Sequence, residues 1–301
     1  MRVAAIDCGT NSIRLLIADV SGTALSDISR RMEIVRLGEG VDRTGRLAPE
    51  AIARTRQALL GYAAEIAELG VERVRMCATS ASRDASNAEE FRDMVRQVLG
   101  TDPEVITGDE EARLSFTGAV AGLTAEAPYL VVDIGGGSTE FVVGDAQVRH
   151  AISMDIGCVR LTERHLHSDP PTPAEVAAAE ADIKKAVDTA LRTVSGRGTA
   201  TLVGLAGSVT TVAALALRLP SYEAKRIHHA TIAYDDVAKV TAELLGATVA
   251  DRRDLPVMHP GRADVIGAGA LILRIIMERA GKNAVVASEH DILDGIAYGL
   301  S

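Results

Sequence analysis

The sequence predicts an α/β protein built from two similar domains, and three observations support this fold class. A polar turn with the spacing Asp-x-Gly-x-x-Ser occurs twice, at Asp7–Ser12 and at Asp133–Ser138. Each turn lies between two apolar runs with the composition of β-strands. In both halves three strand-like runs come first, and strands then alternate with helical patterns. The repeated order predicts one strand-turn-strand unit at the start of each domain.

The elements of the first half are predicted from apolar periodicity and from capping residues. In order, they are three strands within 3–37, with a turn at Ser21-Gly22 and the basic pair Arg30-Arg31 before the third; a glycine-rich loop over 38–47; a helix opened by Pro49 and ended by Gly70; a strand over 73–78; a helix with a capping box at Asn87 and Glu90; a strand over 104–106; and a helix to about Gly122. Residues 124–128 are the predicted domain boundary.

The second half repeats this order. Its predicted elements are strands near 129–133, 138–144 and 147–154; a helix after Gly157; a long Ala-rich helix with a capping box at Thr172 and Glu175; a strand over 201–205; helices around 209–219, 235–246 and 262–280; a strand over 284–287; and a helix from about Asp291.

Composition narrows the class of protein. The 301 residues are 47% hydrophobic but only 3% aromatic, so the cores must consist mainly of aliphatic side chains. The net charge of −9 argues against a nucleic-acid or anionic-membrane surface, and no apolar run reaches the length of a membrane span. Cys8, Cys77 and Cys158 are far apart and show no metal-binding spacing. We therefore expect a cytoplasmic protein with reduced thiols.

The repeated turn has the chemistry of a phosphate loop. Gly lets backbone N–H groups approach an anion closely, and Ser and Thr hydroxyls add donors. An Asp at the end of the preceding strand suits the divalent cation that phosphate groups usually bring. One such loop alone would be better explained as an ordinary hairpin turn, but its repetition with the same spacing favours phosphate binding.

Several blocks of sequence carry a family resemblance. The P-loop pattern G-x-x-x-x-G-K-[ST] and the dinucleotide pattern G-x-G-x-x-G are both absent. The duplicated loop instead resembles the architecture shared by actin, Hsp70 and sugar kinases. Within that group the chain resembles the exopolyphosphatase and guanosine pentaphosphate phosphatase family, through AAIDCGTNSIRLLIADV from Ala4, ATSASRDASN from Ala78, TGDEEARLSFTGA from Thr107, VVDIGGGSTEF from Val131, SMDIGCVRLTE from Ser153, GLAGSVTT from Gly204, HPGRADVIGAGALIL from His259 and SEHDILDGIAYGL from Ser288.

The resemblance implies two ribonuclease H-like domains of the actin-like ATPase type with a cleft between them. The first would span 1–123 and regain the C-terminal helix, 291–301, and the second would span 124–290. The implied reaction is the metal-dependent hydrolysis of the terminal phosphoanhydride bond of inorganic polyphosphate. Larger members of the family have a further helical module after the region that resembles this sequence. We therefore expect this protein to favour short polyphosphate chains.

The resemblance also assigns roles to residues. The phosphate-binding residues would be Thr10, Asn11, Ser12, Arg83, Gly135, Gly136, Gly137, Ser138, Thr139, Arg160, Gly207 and Ser208. Asp133, with Asp7 and Glu140, would hold Mg²⁺ or Mn²⁺ directly or through water. A competing interpretation of Gly207 and Ser208 is a small-residue turn between a strand and a helix, and that of Arg160 is a surface charge. None of the seven histidines is assigned as a metal ligand.

The expected catalytic residues are Glu111, Glu140 and Arg83. Glu111 matches the family's base, although Glu110 and Asp109 are close enough in sequence to compete for that role. Acids are also common at helix N-termini for purely structural reasons. Glu140 would order the water or the metal, and Arg83 would clamp one phosphate with its planar guanidinium.

Two other functions stay open at this point. The same site could remove the 5′-terminal phosphate of guanosine pentaphosphate, with guanosine tetraphosphate as a further possible ligand. A non-catalytic sensor of polyphosphate or of these nucleotides is the alternative from another class. A homodimer is also expected, because the apolar helix over 262–280 could pack against a second copy. Burial of this helix within the monomer would explain its composition as well.

Overall fold

The computed structural model describes residues 1–22 and 24–300. The chain divides into two compact units, of which the first comprises 1–118 with 292–301 and the second comprises 119–291. The boundary predicted after Leu123 lies a few residues further along the chain. The C-terminal helix belongs to the first unit, which is therefore discontinuous in sequence.

The first unit is built on a five-stranded mixed sheet in the order β3-β2-β1-β4-β5. Strands β1, β2 and β3 form an antiparallel meander, and β4 and β5 continue the sheet in parallel with β1. Its elements are β1 (Arg2–Cys8), β2 (Ser12–Ser21), β3 (Ala24–Ile34), α1 (Val41–Thr44), α2 (Pro49–Glu68), β4 (Arg73–Ala78), α3 (Ser80–Asp84), α4 (Ala88–Leu99), β5 (Glu104–Val105), α5 (Gly108–Val120) and α13 (Ile292–Tyr298).

The third strand begins earlier than the sequence suggested. Arg30 and Arg31 were expected to precede it, but both lie within β3. That expectation was wrong because β3 is an edge strand whose side chains are mostly exposed, so charged residues are tolerated there. Arg30 pairs with the buried Asp294 at 2.7 Å, and Arg31 pairs with Glu65 at 3.1 Å.

The start of α4 also differs from the prediction. Asn87 is the N-cap residue, but its side chain makes no capping hydrogen bond. Its Oδ1 accepts from the Leu47 N–H at 2.8 Å, and its Nδ2 donates to the Leu47 carbonyl at 3.1 Å. The predicted capping box was therefore wrong, because the amide is used to fix a distant loop. The short helix α3 was not predicted at all, since its Ser-rich sequence is typical of a loop.

Both faces of the first sheet are covered. Helices α2 and α4 pack their apolar residues against one face, and α13 covers the other with Ile292, Ile296 and Ala297. Helix α13 passes very close to α5, because a β-carbon added at Gly295 would lie 2.0 Å from the Leu114 carbonyl oxygen. The C-terminal helix is thus an integral part of the first unit's core.

The second unit contains a six-stranded sheet in the order β10-β11-β9-β6-β7-β8. Again an antiparallel meander, β6-β7-β8, is extended by strands parallel to its first member, β9 and then β11. Its elements are β6 (Tyr129–Ile134), β7 (Thr139–Gly144), β8 (Val148–Met154), α6 (Cys158–His165), α7 (Pro173–Val194), β9 (Thr201–Leu205), α8 (Ala206–Ala216), α9 (Ala224–Ile227), β10 (Thr231–Ala233), α10 (Tyr234–Gly246), α11 (Val249–Arg253), α12 (Ile266–Ala280) and β11 (Ala284–Ala287).

The core of the second unit is large and aliphatic, as its composition required. Helices α7, α8, α10 and α12 pack onto the sheet, and α12 is buried along nearly its whole length. The predicted capping box at the start of α7 is confirmed, with Thr172 and Glu175 exchanging hydrogen bonds. The short elements β10 and α11 escaped the sequence prediction. Over the described ranges 1–22 and 24–300, no helix has both the length and the apolarity that a bilayer crossing requires.

Candidate active site

The two glycine loops close in the same way. In the first hairpin the Gly9 N–H donates to the Ser12 carbonyl at 3.0 Å, and in the second the Gly135 N–H donates to the Ser138 carbonyl at 3.0 Å. The strand pairs that flank them are Cys8 with Ile13 and Ile134 with Thr139. The repeat seen in the sequence is therefore a repeat of backbone hydrogen bonding.

The first loop lies at the carboxyl edge of the first unit's parallel strands. Cys8 at the end of β1 pairs with Ala78 at the end of β4, so Thr79 and Ser80 follow at the same edge. The Thr10 and Ser80 hydroxyl oxygens are 2.9 Å apart and buried. Ligands of α/β proteins commonly bind beyond the carboxyl ends of such strands.

Arg83 and Glu111 come together at this edge. Arg83, from α3, donates through Nη1 to the Ile106 carbonyl at 2.9 Å and to Glu111 Oε2 at 3.1 Å. Glu111 is in the first turn of α5, which follows β5. The predicted acid and the predicted phosphate clamp are thus direct neighbours.

The three consecutive acids of α5 have different surroundings. Only the Glu111 side chain is largely buried, with 11% exposure against 45% for Glu110 and 57% for Asp109. Glu110 pairs with Arg75 at 2.8 Å and Asp109 pairs with Arg113 at 2.8 Å. Burial and the contact with Arg83 therefore separate Glu111 from the two alternatives.

Asp7 is engaged by an arginine that sequence reasoning missed. Arg14 Nε and Nη2 both donate to Asp7 Oδ2, at 3.1 and 2.7 Å. The two residues face each other across the β1–β2 ladder. A carboxylate whose charge is balanced by a guanidinium is a poorer metal ligand than a free one. The expected metal role of Asp7 is thus weakened by its neighbour.

The second hairpin has a different side chain at the position that corresponds to Arg14. Asp133, Glu140 and Ser153 are aligned across β6, β7 and β8. Directly opposed residues of antiparallel strands project on the same face. The Ser153 hydroxyl donates to Glu140 Oε1 at 2.7 Å, so the orientation of this carboxylate is fixed. Asp133 and Glu140 are both buried.

These two carboxylates fit a divalent metal. Hard cations such as Mg²⁺ prefer oxygen ligands and are commonly held by one or two carboxylates, with water and substrate phosphates completing the shell. Among the described residues there is no group of three or more His, Cys, Asp or Glu arranged as a metal site. The donor set therefore suits a cation that the protein holds jointly with a phosphate ligand.

Gly207 and Ser208 reach the same edge of the second sheet as the second glycine loop. Asp133 pairs with Leu205 across parallel strands, and α8 begins at the next residue, Ala206. The Arg262 guanidinium covers Gly207, since a β-carbon there would lie 2.3 Å from its Cζ. Ser208 is buried against Gly269 of α12. Close packing, which the small-residue alternative anticipated, is thus present at both positions.

Arg160 is in α6 and contacts the second glycine loop. Its Nε donates to the Gly137 carbonyl at 2.6 Å. The Thr139 hydroxyl donates to the Ile156 carbonyl at 2.5 Å and ties the loop to the same segment. Arg160 is therefore a constituent of the loop's surroundings, in contrast to the surface-charge alternative.

The three cysteines are free and buried. Burial raises the pKa of the Cys8 thiol well above its ordinary value and also raises the pKa of Cys158. A protonated, buried thiol is a weak nucleophile and a weak metal ligand. None of the three cysteines thus contributes chemistry to the site.

The chain is similar to a family of known proteins. The pattern of the Ppx/GppA phosphatase family matches residues 16–301. The chain belongs to the Ppx/GppA phosphatase family. The match covers the second hairpin completely, and it begins within β2 of the first hairpin, after the first glycine loop.

Individual members of the Ppx/GppA family are similar over the full chain. Exopolyphosphatase 2 of Mycobacterium tuberculosis is 54% identical over 314 aligned residues, which cover 100% of this chain and 98% of that protein. A crystal structure of an exopolyphosphatase from Cytophaga hutchinsonii is 25% identical, with a TM-score of 0.92 over 100% of this chain and 97% of that one. The Aquifex aeolicus family member is 36% identical, with a TM-score of 0.84 and the same coverage. The predicted fold class, two actin-like α/β domains, is confirmed.

Proposed function

We propose that the protein is an exopolyphosphatase, which hydrolyses the terminal phosphoanhydride bond of inorganic polyphosphate and releases orthophosphate. The proposal is supported by family membership and by the names of the similar proteins above. The observation in this chain that carries it furthest is the contact between Arg83 and the buried Glu111, because a site that only bound phosphate would gain little from an acid on its arginine.

In the proposed reaction the first unit supplies the base. Glu111 accepts a proton from a water molecule, whose oxygen forms a bond to the terminal phosphorus. The bridging P–O bond breaks, and its electron pair leaves with the shortened chain. Arg83 moves its donors from Glu111 to phosphate oxygens when substrate binds, and this exchange also exposes the carboxylate to water.

The second unit supplies hydrogen-bond donors to the phosphate groups and carboxylates for the proposed metal. The loop Gly135–Thr139 binds phosphate oxygens mainly through the N–H groups of Gly136, Gly137 and Ser138, because the Gly135 N–H and the Thr139 hydroxyl donate to protein carbonyls. In the first unit, Thr10, Asn11 and Ser12 bind phosphate oxygens in the same role. Asp133 and Glu140 would hold Mg²⁺ or Mn²⁺, which when bound neutralises the phosphoryl oxygens. Ser153 keeps Glu140 in place for this role.

A cytoplasmic location and a homodimer are further proposals. Buried free cysteines are typical of proteins from a reducing compartment. The apolar residues of α12, which first suggested a dimer surface, are buried within the second unit. The homodimer therefore needs its own test, and light scattering of the purified protein would measure the oligomeric state directly.

The deciding experiment measures phosphate release with Mg²⁺ from short polyphosphate, long polyphosphate, guanosine pentaphosphate and ATP in parallel. We expect turnover of polyphosphate that is lost in Glu111→Gln. A preference for guanosine pentaphosphate would make that nucleotide the substrate. Binding without release from any of the four would support a sensor and contradict the enzyme.

A further inference from the structure

The segment that follows β8 holds the second glycine loop by its carbonyl groups. The Cys158 N–H donates to the Gly135 carbonyl at 3.0 Å. The Val159 and Arg160 N–H groups donate to the Gly136 carbonyl at 2.9 and 3.1 Å. Arg160 Nε donates to the Gly137 carbonyl at 2.6 Å. All three glycine carbonyls are thus bound by the first turn of α6.

This arrangement sets the direction of the loop's N–H groups. In a trans peptide the carbonyl and the following N–H point in opposite directions. Carbonyls directed at α6 therefore turn the N–H groups of Gly136, Gly137 and Ser138 away from it. Within residues 1–22 and 24–300, these three N–H groups have no protein hydrogen-bond acceptor. Successive N–H groups facing one direction form a concave anion-binding site.

The close contact needs a glycine on the α6 side. A β-carbon at Gly157 would lie 2.3 Å from the Gly136 carbonyl oxygen and 2.6 Å from the Gly137 nitrogen. The φ of Gly157 is −146°, which any residue can adopt, so the requirement is one of space. Both atoms are backbone and cannot rotate away from an added methyl group.

The first unit repeats this device with different residues. The Thr10 carbonyl accepts from the Gly38 N–H at 2.9 Å, and the Asn11 carbonyl accepts from the Arg36 N–H at 2.9 Å. A β-carbon at Gly38 would lie 2.4 Å from Thr10 Cγ2. In each unit, N–H groups of the segment after the third meander strand therefore donate to carbonyl groups of the glycine loop. Because these hydrogen bonds occur in both units, we attribute them to the binding site and not to chance packing.

We propose that Gly157 and Arg160 are positioning residues, which preset the N–H groups of the loop Gly135–Ser138 for a phosphate group. Arg160 acts through its Nε on the loop backbone, in contrast to the direct phosphate contact expected from the sequence. The inference rests on the proposed function, because it specifies how one part of that site is preorganised.

The test compares Gly157→Ala, Arg160→Lys and Arg160→Gln, with Gly246→Ala as the matched control. A β-carbon at Gly246, at the end of α10, has no atom within 4 Å. Binding of inorganic tripolyphosphate is measured by calorimetry in a Glu111→Gln background, so that turnover does not interfere. Hydrogen exchange of Cys158 and Val159, whose N–H groups donate to the loop carbonyls, is followed in the same proteins, and kcat and KM are measured with Glu111 intact.

We expect Gly157→Ala and both Arg160 variants to weaken tripolyphosphate binding by about tenfold or more. In each variant the N–H groups of residues 136–138 are displaced, and their charge-assisted hydrogen bonds to phosphate are weakened. Exchange at Cys158 and Val159 should accelerate, and kcat should fall as KM rises. Arg160→Lys should be as impaired as Arg160→Gln, since Lys keeps the charge but lacks the planar Nε–H. The Gly246→Ala protein should match wild type.

Two results would overturn the proposal while leaving the proposed function intact. One is wild-type affinity in Gly157→Ala. The other is affinity restored by Lys at position 160 but lost with Gln, which would make Arg160 a charge contact to phosphate. If Gly157→Ala does not fold, the Lys and Gln variants decide alone. Conversely, if the variants weaken binding but the wild-type protein shows no turnover, the proposed enzymatic activity is contradicted and the positioning roles of Gly157 and Arg160 are supported.

Discussion

Asp133 and Glu140 lie directly opposite each other across the β6–β7 ladder, beside the second glycine loop. In the first hairpin the corresponding partner of Asp7 is Arg14, which balances its charge. The duplicated hairpins have thus diverged at one position, from an ion pair to a pair of carboxylates. Two buried like charges side by side favour a bound cation. This difference favours the second unit as the location of the proposed metal.

Loss of either carboxylate should weaken metal binding. We expect Asp133→Asn and Glu140→Gln each to raise the Mg²⁺ concentration for half-maximal activity by about tenfold or more. Direct Mn²⁺ binding, measured by electron paramagnetic resonance, should weaken in parallel. Asp145→Asn is a suitable control, because Asp145 is exposed and pairs with Arg149. An unchanged Mg²⁺ requirement in both variants would place the metal elsewhere.

Removal of the proposed base should affect turnover far more than binding. Glu111→Gln keeps the shape of the side chain and a hydrogen-bond acceptor for Arg83 but cannot take a proton. We expect kcat to fall by roughly 10²- to 10⁴-fold, with the affinity for polyphosphate nearly unchanged. Asp109→Asn and Glu110→Gln should stay close to wild type, since both carboxylates are about half exposed and pair with Arg113 and Arg75, not with Arg83. A large loss of kcat in Glu110→Gln instead would transfer the role to that neighbour.

The sequence predicted what is encoded locally. The two hairpins, their glycine turns and the capping box at Thr172 follow from short-range patterns, and all are present. Ser153 could not have been found by counting from the β7–β8 turn, because a register shift between Val143 and Gly144 changes the pairing by one residue. Arg14 could have been found by numbering the first hairpin outward from its turn, because the register then places it beside Asp7. That step uses only the period of two along a strand.

The features that escaped prediction depend on contacts distant in sequence. Asn87 has the local signature of a helix cap, yet its amide is used by Leu47, forty residues away in the chain. Gly157 is required because it touches Gly136, and nothing in its own neighbourhood signals this. Propensity rules describe the isolated segment, whereas these residues are determined by tertiary packing.

A histidine stack in the second unit should make stability depend on pH. The His228 and His229 rings lie 3.7 Å apart, and His290 lies 4.3 Å from His228. Burial, and secondarily the charge of His290, lowers the pKa of His229 from its ordinary value of 6.5. The unfolded chain then binds a proton more readily than the folded protein as pH falls below 6.5. The contribution of His229 is therefore complete above that pH and is lost as pH falls through the folded-state pKa.

The His229→Asn variant tests this pH dependence. Asn is suitable because His229 has a φ of 62°, a conformation that Asn tolerates. The free energy of unfolding, measured with urea between about pH 7.5 and about pH 5, should decline less steeply in the variant. A residual slope is expected from His259, whose pKa is also lowered by burial. Parallel curves for the two proteins would contradict the role of His229.

The C-terminal helix should depend on its close approach to α5. A methyl group at Gly295 would lie 2.0 Å from the Leu114 carbonyl oxygen and 2.7 Å from the Leu114 carbonyl carbon, both backbone atoms. We expect Gly295→Ala to lower the free energy of unfolding by about 1–3 kcal/mol, because the helices must separate to accept it. Gly61→Ala, within α2 and with no atom within 4 Å of the added carbon, should instead stabilise the protein by about 0.5–1 kcal/mol. Thermal and urea unfolding of both variants measure the contrast, and equal stabilities would show that α13 tolerates displacement from α5.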